Sequence, residues 1–402
     1  MSMHIDPRPG LAVMPFKATT SESMHWVVGE LIAEGVIARL SHSVGLRVIA
    51  RQSTSALRDS QSTVDIRRQL GTSFVLSGSY DIRNRQLTVT AELADARNHR
   101  LLWAGQLRHA LSDLFHESSA LLHELAHTVA HTLGKTQLSA AFTRPLPSLQ
   151  SGALMLAGIS MTHSRSEAMF QRGRDAWMAL TARHSRLALP RAWLAMWHAL
   201  NVIKGRSSRP DQDIKQAIEQ TQRALQVEPN NAMALAVDGY IQCQLLGNPE
   251  QARHHLTLAI EANPSNPMAW IFKSLYTAGW GSSSLSITEA SVACQLSPVD
   301  PLKYFFDLLM GNAFLADRRW TQAIACGLQA LSANKRHVPT LRLLLTAHAE
   351  AGQINEGRAV LHQLRAQAPG LTVSTYLSMG SADNPLRQRF ANAMRHLGLP
   401  EA

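Results

Sequence analysis

Cysteine, charge and long apolar runs are all scarce in this chain, and each shortage argues against a class of protein. Only three cysteines occur in 402 residues, at Cys243, Cys294 and Cys326. They are far apart, odd in number and without CxxC spacing. That pattern argues against a disulfide framework or a thiolate zinc site, and buried reduced thiols are expected instead. Charged residues make up 17% against 45% hydrophobic, the balance of a folded, core-rich protein rather than a disordered one. The longest greasy stretch, Leu187–Ile203, is interrupted by Pro190, Arg191, His198 and Asn201 and is too short to cross ~30 Å of hydrocarbon. The opening MSMHIDPRPG has no apolar core of a signal peptide. A cytoplasmic protein without membrane insertion is expected. Phosphate-cradling GxxxxGK[ST] and nucleophile-elbow GxSxG motifs are missing as well.

The net charge is +10, which raises the question of nucleic acid. No run of four Lys or Arg exists, however, and the basic residues are spread over both halves. The reading is a dispersed, Arg-rich surface with no direct nucleic-acid contact. The groups Arg172/Arg174 and Arg318/Arg319 are read as solvated helix edges.

Two periodicities divide what is there. Up to about residue 135, strand and helix signals mix. GLAVMPF (Gly10–Phe16) and LRVIAR (Leu46–Arg51) read as buried strands, Ser23–Leu40 as a helix, and Val64–Gly71 as a short helix stopped by its glycine. Three further strands are expected at Ser73–Ile82, Gln86–Asp95 and Leu101–Arg108. In the second of these, Leu87, Val89, Ala91 and Leu93 alternate with Thr88, Thr90 and Glu92, as in a half-buried strand. A closing helix is expected over Ser112–Leu133, capped by Ser112.

From about Leu146 onward the pattern is helical throughout. Pro229, Pro264, Pro298 and Pro369 follow helices at gaps of 35, 34 and 71 residues, with Lys335 at the missing stop. A period near 34 is that of a helix–turn–helix tetratricopeptide unit. The pairs Ala217/Ala224, Ala252/Ala259 and Ala323/Ala330 put small residues two turns apart on one face, and Gly239 and Gly311 sit where two helices of a unit would touch. Trp193, Trp197, Trp270, Trp280 and Trp320 read as packing residues between helices. The fold class expected is an α/β domain with a mixed sheet over 10–135, followed by an all-α tetratricopeptide-type solenoid over 146–398. Stacked units of this kind expose a groove that holds another protein's segment.

Several phrases carry a resemblance: LAVMPF, GLRVIARQSTSAL, DIRRQLGTSFVLSGSYDIRNRQLTVTAELADARNHRLLWAG and LSDLFHESSALLHELA, then QLSPVDPLKYFF among the helices. Together they resemble the TolB-like amino-terminal domain followed by tetratricopeptide repeats. This pairing is found in the C-terminal half of class III adenylate cyclases and of CadC-like winged-helix transcription regulators. The resemblance implies bacterial signal transduction or transcription regulation. Nine residues precede the first strand, too few for a cyclase or winged-helix effector. A sensory or scaffolding half without its output is therefore expected, with a separately encoded effector as its protein partner and self-association left open.

One motif points elsewhere. HELAH, His123–His127, has the two histidines and the glutamate of a zinc protease, which would make His123 and His127 ligands and Glu124 the general base. On a helix, Leu114, Leu121, Leu122, Val129 and Leu133 share the side of Leu125, while His116, His123 and His127 fall roughly opposite, at about 160° to 200°. His131 lies about 12 Å along the axis from His123, too far to share an ion with both others. A third ligand, Glu167 for instance, is singled out by nothing. The expectation is a solvated histidine face, no metal, no cofactor and no catalytic residue: a non-enzymatic regulatory or adaptor protein that binds a partner through its repeat groove. The alternatives are a zinc-dependent hydrolase using HELAH and the detached C-terminal half of a cyclase or winged-helix regulator.

Overall fold

The computed structural model describes residues 8–19, 26–41, 43, 45–57, 63–116, 119–143, 145–146, 149–164, 166–297 and 302–402. The chain divides into two compact units, one ending at Met161 and one made of Thr162–Leu296 and Leu302–Ala402.

The first unit runs β1 (Gly10–Val13), β2 (Lys17–Ala18), α1 (Trp26–Leu40), β3 (Arg47–Val48), α2 (Arg51–Ser55), α3 (Thr63–Leu70), β4 (Phe74–Arg83), β5 (Gln86–Asp95), β6 (Arg100–Ala110), α4 (Ala120–Thr143) and α5 (Ser151–Thr162). The sheet order is β3-β1-β4-β5-β6, with β2 on β4. β1 is parallel to β3 and β4, whereas β4, β5 and β6 form an antiparallel meander. Central β1 is therefore buried on both faces. Leu11 and Val13 join a core with Ile32 and Val36 of α1 and Leu125 and Val129 of α4, while Ala12 and Met14 face Ile49 and Ile66. In β5, Leu87, Val89, Ala91 and Leu93 are fully buried, and Thr90 and Glu92 are exposed. The β4–β5 hairpin turns on Asn84 and Arg85, with φ of 50° and 61°, the two-residue geometry that follows strand twist.

Three local expectations change. The strand begun at Gly10 stops at Val13, since Pro15 has no N–H to donate, and pairing resumes at Lys17. The LRVIAR strand shrinks to Arg47–Val48, because Arg51 already opens α2. The closing helix starts at Ala120 rather than Ser112, after a 3-10 turn over Leu111–Phe115. Its caps explain the shift. Ser119 Oγ accepts from the Leu122 N–H at 3.2 Å, and the Asp113 carboxylate accepts from Ala120 and Leu121 at 3.1 and 3.0 Å. The acceptor geometry at Asp113 and Ser119 satisfies the orphan donors that Ser112 was expected to serve. α5 contributes Leu156 to the same core as the sheet.

The second unit begins with α6 (Glu167–Arg183). Five helical hairpins follow: α7 (Ala188–Ile203) with α8 (Pro210–Val227), α9 (Ala232–Ile241) with α10 (Pro249–Ala262), α11 (Pro267–Trp280) with α12 (Ser283–Leu296), α13 (Lys303–Ala316) with α14 (Trp320–Ala333), and α15 (Val338–Glu350) with α16 (Ile354–Gln367). Short α17 (Val373–Ser378) and α18 (Pro385–Leu397) end the chain. Each hairpin's first helix packs on its own partner and on the first helix of the next hairpin. The architecture is thus a mixed-sheet unit followed by tetratricopeptide-type stacking. Second helices bury a narrow stripe rich in small residues: Ala217, Ala224, Ala252, Ala259, Ala323 and Ala330 are all wholly buried, beside Leu256, Leu361 and Leu364. A Cβ on Gly239 would lie 2.6 Å from Leu256 Cγ, and one on Gly311 would lie 2.4 Å from Leu343 Cδ2. The first is the contact within a hairpin that the spacing implies; the second is tightest against α15 of the next hairpin, with Cys326 Cβ of its own partner α14 at 3.3 Å. α8, α10 and α16 end just before Pro229, Pro264 and Pro369, and α14 ends before Lys335; Pro298 lies outside the described residues.

Trp193 and Trp197 are core residues, but Trp270, Trp280 and Trp320 are only half-buried. Trp177 belongs to the core as well: it stacks on Trp193 at 5.5 Å and donates to Thr162 Oγ1 at 2.8 Å. Cys243 is buried and Cys294 and Cys326 are half-buried, all three as free thiols. Burial pushes Cys243 up to about 12 and the other two to about 11.

Candidate functional site

The HELAH helix is α4, and its packing decides where the motif points. Leu121, Leu122, Leu125, Ala126, Val129 and Leu133 are buried against the sheet. His123, Glu124, His127 and His131 are exposed. Glu124 is hydrogen-bonded to His109 Nε2 of β6 at 3.1 Å, and the His127 and His131 rings stack at 6.2 Å. Among the described residues, no group of three or more His, Cys, Asp or Glu side chains is arranged to hold a metal. Glu167 pairs instead with Arg206 Nε at 3.5 Å in the helical unit.

The groups of arginines also find local partners. Arg174 bonds Asp175 at 3.1 Å and lies over the Trp197 ring, and Arg319 bonds Asp317 at 2.8 Å.

The concentration of unusual groups lies elsewhere, in the second unit. A recess of about 770 Å³, open solvent at its mouth included, is walled by the first helices of all five hairpins and by the terminal α17–α18 segment. Leu200 and Ile203 come from α7, Tyr240 from α9, Leu275 from α11, and Phe305, Leu309 and Asn312 from α13. Arg342 comes from α15, and Tyr376, Leu386, Arg387 and Phe390 from the terminal segment. A second, wider recess of about 1460 Å³ meets it along His163, Lys204, His337, Pro339 and Arg342, and adds Arg206 and Arg336. Among the described residues neither is lined by an aspartate or a glutamate.

The electrostatics of this lining are strained by burial. Arg342 and Arg387 are 6% and 5% exposed. Both guanidinium groups sit on the ring of Tyr376, at 4.8 and 5.2 Å. Arg387 donates to the Tyr376 carbonyl at 3.0 Å, but its Nε has no partner. Desolvation lowers the pKa of Arg342 from its ordinary value, and the neighbouring Arg387 charge adds to that. Part of the Lys204 stem is exposed, yet its ammonium lies over the Phe170 ring at 4.9 Å and reaches only the Thr162 carbonyl at 3.2 Å. Desolvation, reinforced by Arg206, brings it down to about 7. His163 shares Nδ1 with the Tyr304 hydroxyl at 3.0 Å, while its buried Nε2 is unpaired. His337, the residue before α15, shares Nδ1 with Thr340 Oγ1 at 2.8 Å. Burial holds both imidazoles well below their ordinary pKa, hence neutral.

The segment that closes the recess is pinned at successive hairpins. A Cβ on Gly205, at the end of α7, would meet Met379 at 2.5 Å. Ser381 N–H donates to the Gln244 carbonyl just past α9 at 3.0 Å. Asn384 Oδ1, which caps α18, lies 3.5 Å from a Cβ built on Gly279 of α11. Arg389 reaches the Ala316 carbonyl of α13 at 3.3 Å and forms a bidentate pair with Glu350 of α15, both bonds at 2.5 Å. The chain's own terminus thus lies against the ends of successive hairpins.

None of these residues was singled out from sequence. The available signal was Arg342, a lone charge inside the apolar run Leu341–Leu345.

Residues 8–127 match the family model of the HilA/YgeH-like transcriptional regulator, second domain, which covers the whole sheet and the start of α4 up to the end of the HELAH motif. A stretch of 129 residues is 32% identical to a protein described as "Putative adenylate cyclase 3" from Rhizobium meliloti (strain 1021); it makes up 31% of this chain and 21% of that relative's length. Among solved structures, the type IV pilus biogenesis factor PilW is 18% identical, with 51% of this chain and 90% of that one covered at a TM-score of 0.38. The APC/C hetero-tetramer Cut9-Hcn1 is 12% identical, with 66% and 49% covered at a TM-score of 0.45. At such scores the hairpin architecture rests on the chain's own packing.

Proposed function

We propose that this chain is a non-enzymatic, cytoplasmic regulatory or adaptor protein of bacterial signal transduction or transcription. Its helical part, 146–398, is the interaction part, and its TolB-like sheet-bearing part, 10–135, is the regulator-type part. The partner is a protein, in the simplest case a separately encoded effector. The observation that carries this reading is the terminal segment itself: the inner hairpin ends already hold a stretch of polypeptide by main-chain and charge-assisted hydrogen bonds. A surface that binds one helix-bearing segment specifically is chemically equipped to bind another in its place. The match to a transcriptional regulator's second domain over 8–127 supports the regulatory side. Among the described residues no helix is long and apolar enough to cross a membrane, which is compatible with the cytoplasm.

The test is paired capture from the source bacterium, with the full chain and with Arg389→Ala, which loosens the segment, as baits. The expected result is one stoichiometric partner, recovered in greater yield by Arg389→Ala. Repeated recovery of nothing specific by either bait, or equal recovery by both, defeats the proposed docking site.

A further inference from the structure

We propose that the recess beneath the terminal segment is a binding site for an organic anion, a carboxylate or phosphate head group on an apolar body. The proposal rests on the regulatory reading only for its biological consequence, not for the binding itself. A guanidinium cannot shed its charge in a protein, so a buried arginine ordinarily faces a carboxylate. Other arginines of this chain do: Arg389 is bidentate to Glu350, and Arg97 is hydrogen-bonded to Asp95 at 2.8 Å through Nε. Arg342 and Arg387 do not. Among the described residues Arg342 has no hydrogen-bond partner at all, only the Tyr376 ring, and Arg387 has one carbonyl. Among the described residues no acidic side chain lines the recess they share.

A further buried polar atom on the same walls, His163 Nε2, is also unpaired. The lining therefore offers planar, bidentate-capable cations and a spare imidazole nitrogen to an external group. Beside them stand Leu200, Ile203, Leu275, Leu309, Leu386 and Phe390, which suit a hydrocarbon or aromatic body. Most of the roughly 770 Å³ is open solvent and the interior itself is about 80 Å³, room for a head group, while the adjoining recess, with an interior of about 600 Å³, is in the range of small-molecule pockets and has room for the body. The enclosure also disfavours a peptide, since the terminal segment lies across the hairpin ends where one would enter.

The two cations come from different elements, Arg342 from α15 and Arg387 from α18. A bound anion bridges them and so favours the closed arrangement of the terminal segment over an open one. It would act as a signal that withholds the docking surface from a partner.

The experiment is calorimetric titration of the full chain with decanoate, decyl phosphate, decanol and inorganic phosphate. Decanoate or decyl phosphate should bind, and decanol and inorganic phosphate should each bind at least about tenfold more weakly, a difference of about 1.4 kcal/mol. Which of the two amphiphiles binds tighter assigns the head group. Arg342→Met and Arg387→Met should each weaken the better probe about tenfold or more, and Arg253→Met should leave it unchanged. Should a pocket variant not fold, phenylglyoxal labelling of the unmodified chain replaces it: the bound amphiphile should protect Arg342 and Arg387 and leave Arg253 reactive. The proposal is overturned if neither amphiphile binds at about 1 mM, if decanol binds equally well, or if the arginines are neither required nor protected. It is equally overturned if an acidic peptide displaces the amphiphile at lower concentration. Amphiphile binding with no partner captured leaves this site standing and removes the adaptor role. The converse removes only this site.

Discussion

If the Arg389–Glu350 pair holds the terminal segment over the hairpin ends, Arg389→Ala must let α18 open while α15 stays folded. The size of the effect follows from the geometry. The pair is bidentate, and its side chains are 25% and 23% exposed. A fully exposed pair contributes about 0.2–1 kcal/mol, and hydrogen bonds to charged groups about 1.5–3 kcal/mol. With a quarter of each side chain in water, a coupling of about 1–2 kcal/mol is expected. Glu350 keeps its bond from Trp320 Nε1 at 3.1 Å in the variant and is not left alone, so the loss measures the pair and not an orphaned charge. Amides of α18 that exchange through local opening should then exchange about 5- to 30-fold faster, with α13 and α15 unchanged. Hydrogen–deuterium exchange read by mass spectrometry gives this directly. A cycle of Arg389→Ala, Glu350→Ala and the double variant isolates the coupling from each residue's other contacts. Unchanged exchange in α18, or a coupling below about 0.3 kcal/mol, would refute the idea that this pair latches the segment.

Gly78→Ala should destabilise the first unit by about 1–3 kcal/mol. The added Cβ would lie 2.2 Å from the Thr90 carbonyl oxygen and 2.6 Å from Phe16 Cε1, and a backbone oxygen in a strand pair cannot step aside; thermal unfolding of the variant checks this. For Lys204, the folded ammonium titrates near 7 and the unfolded one at 10.5, so between these values the unfolded chain holds a proton that the folded chain has released. Its contribution to stability therefore rises with pH from about 7 upward and is lost as pH falls through 7. Urea midpoints at about pH 7 and pH 9 should show that rise in the natural chain and a smaller one in Lys204→Met, whereas equal slopes would contradict it. His127→Ala should leave the melting temperature within the small range of surface substitutions, with or without zinc, because its ring is exposed on α4. A zinc-dependent stabilisation abolished by this change would revive the hydrolase reading.

Much of the fold was legible because its signals are local. The 2-residue alternation of Leu87, Val89, Ala91 and Leu93 specifies which face of β5 is buried, and those four residues do pack against α1 and α4. The alanine pairs and Gly239 and Gly311 are needed wherever two helices approach closely, and their spacing survives in the sequence as a period. Boundaries were less legible where a distant acceptor competes with a nearby one. Ser112 had the right chemistry for a cap, but Asp113 and Ser119 together satisfy three donors of α4 and move its start to Ala120. The tryptophans show a similar limit: composition cannot say that Trp177 and Trp193 stack while Trp270 remains half-buried.

By itself the sequence determined the two kinds of architecture, the buried faces of β5 and α4 and the small-residue faces of α8, α10 and α14, since hydrophobic period, turn residues and small-residue contacts act over a few positions. Only the tertiary structure decided where chemistry gathers. His163, Lys204, Arg342 and Arg387 are drawn from distant parts of the chain and meet because successive hairpins place their first helices side by side and the terminus folds back across them. No spacing rule encodes that meeting, since it depends on stacking angles summed over five hairpins. Whether a charge meets a counter-charge or is left bare depends on the same stacking.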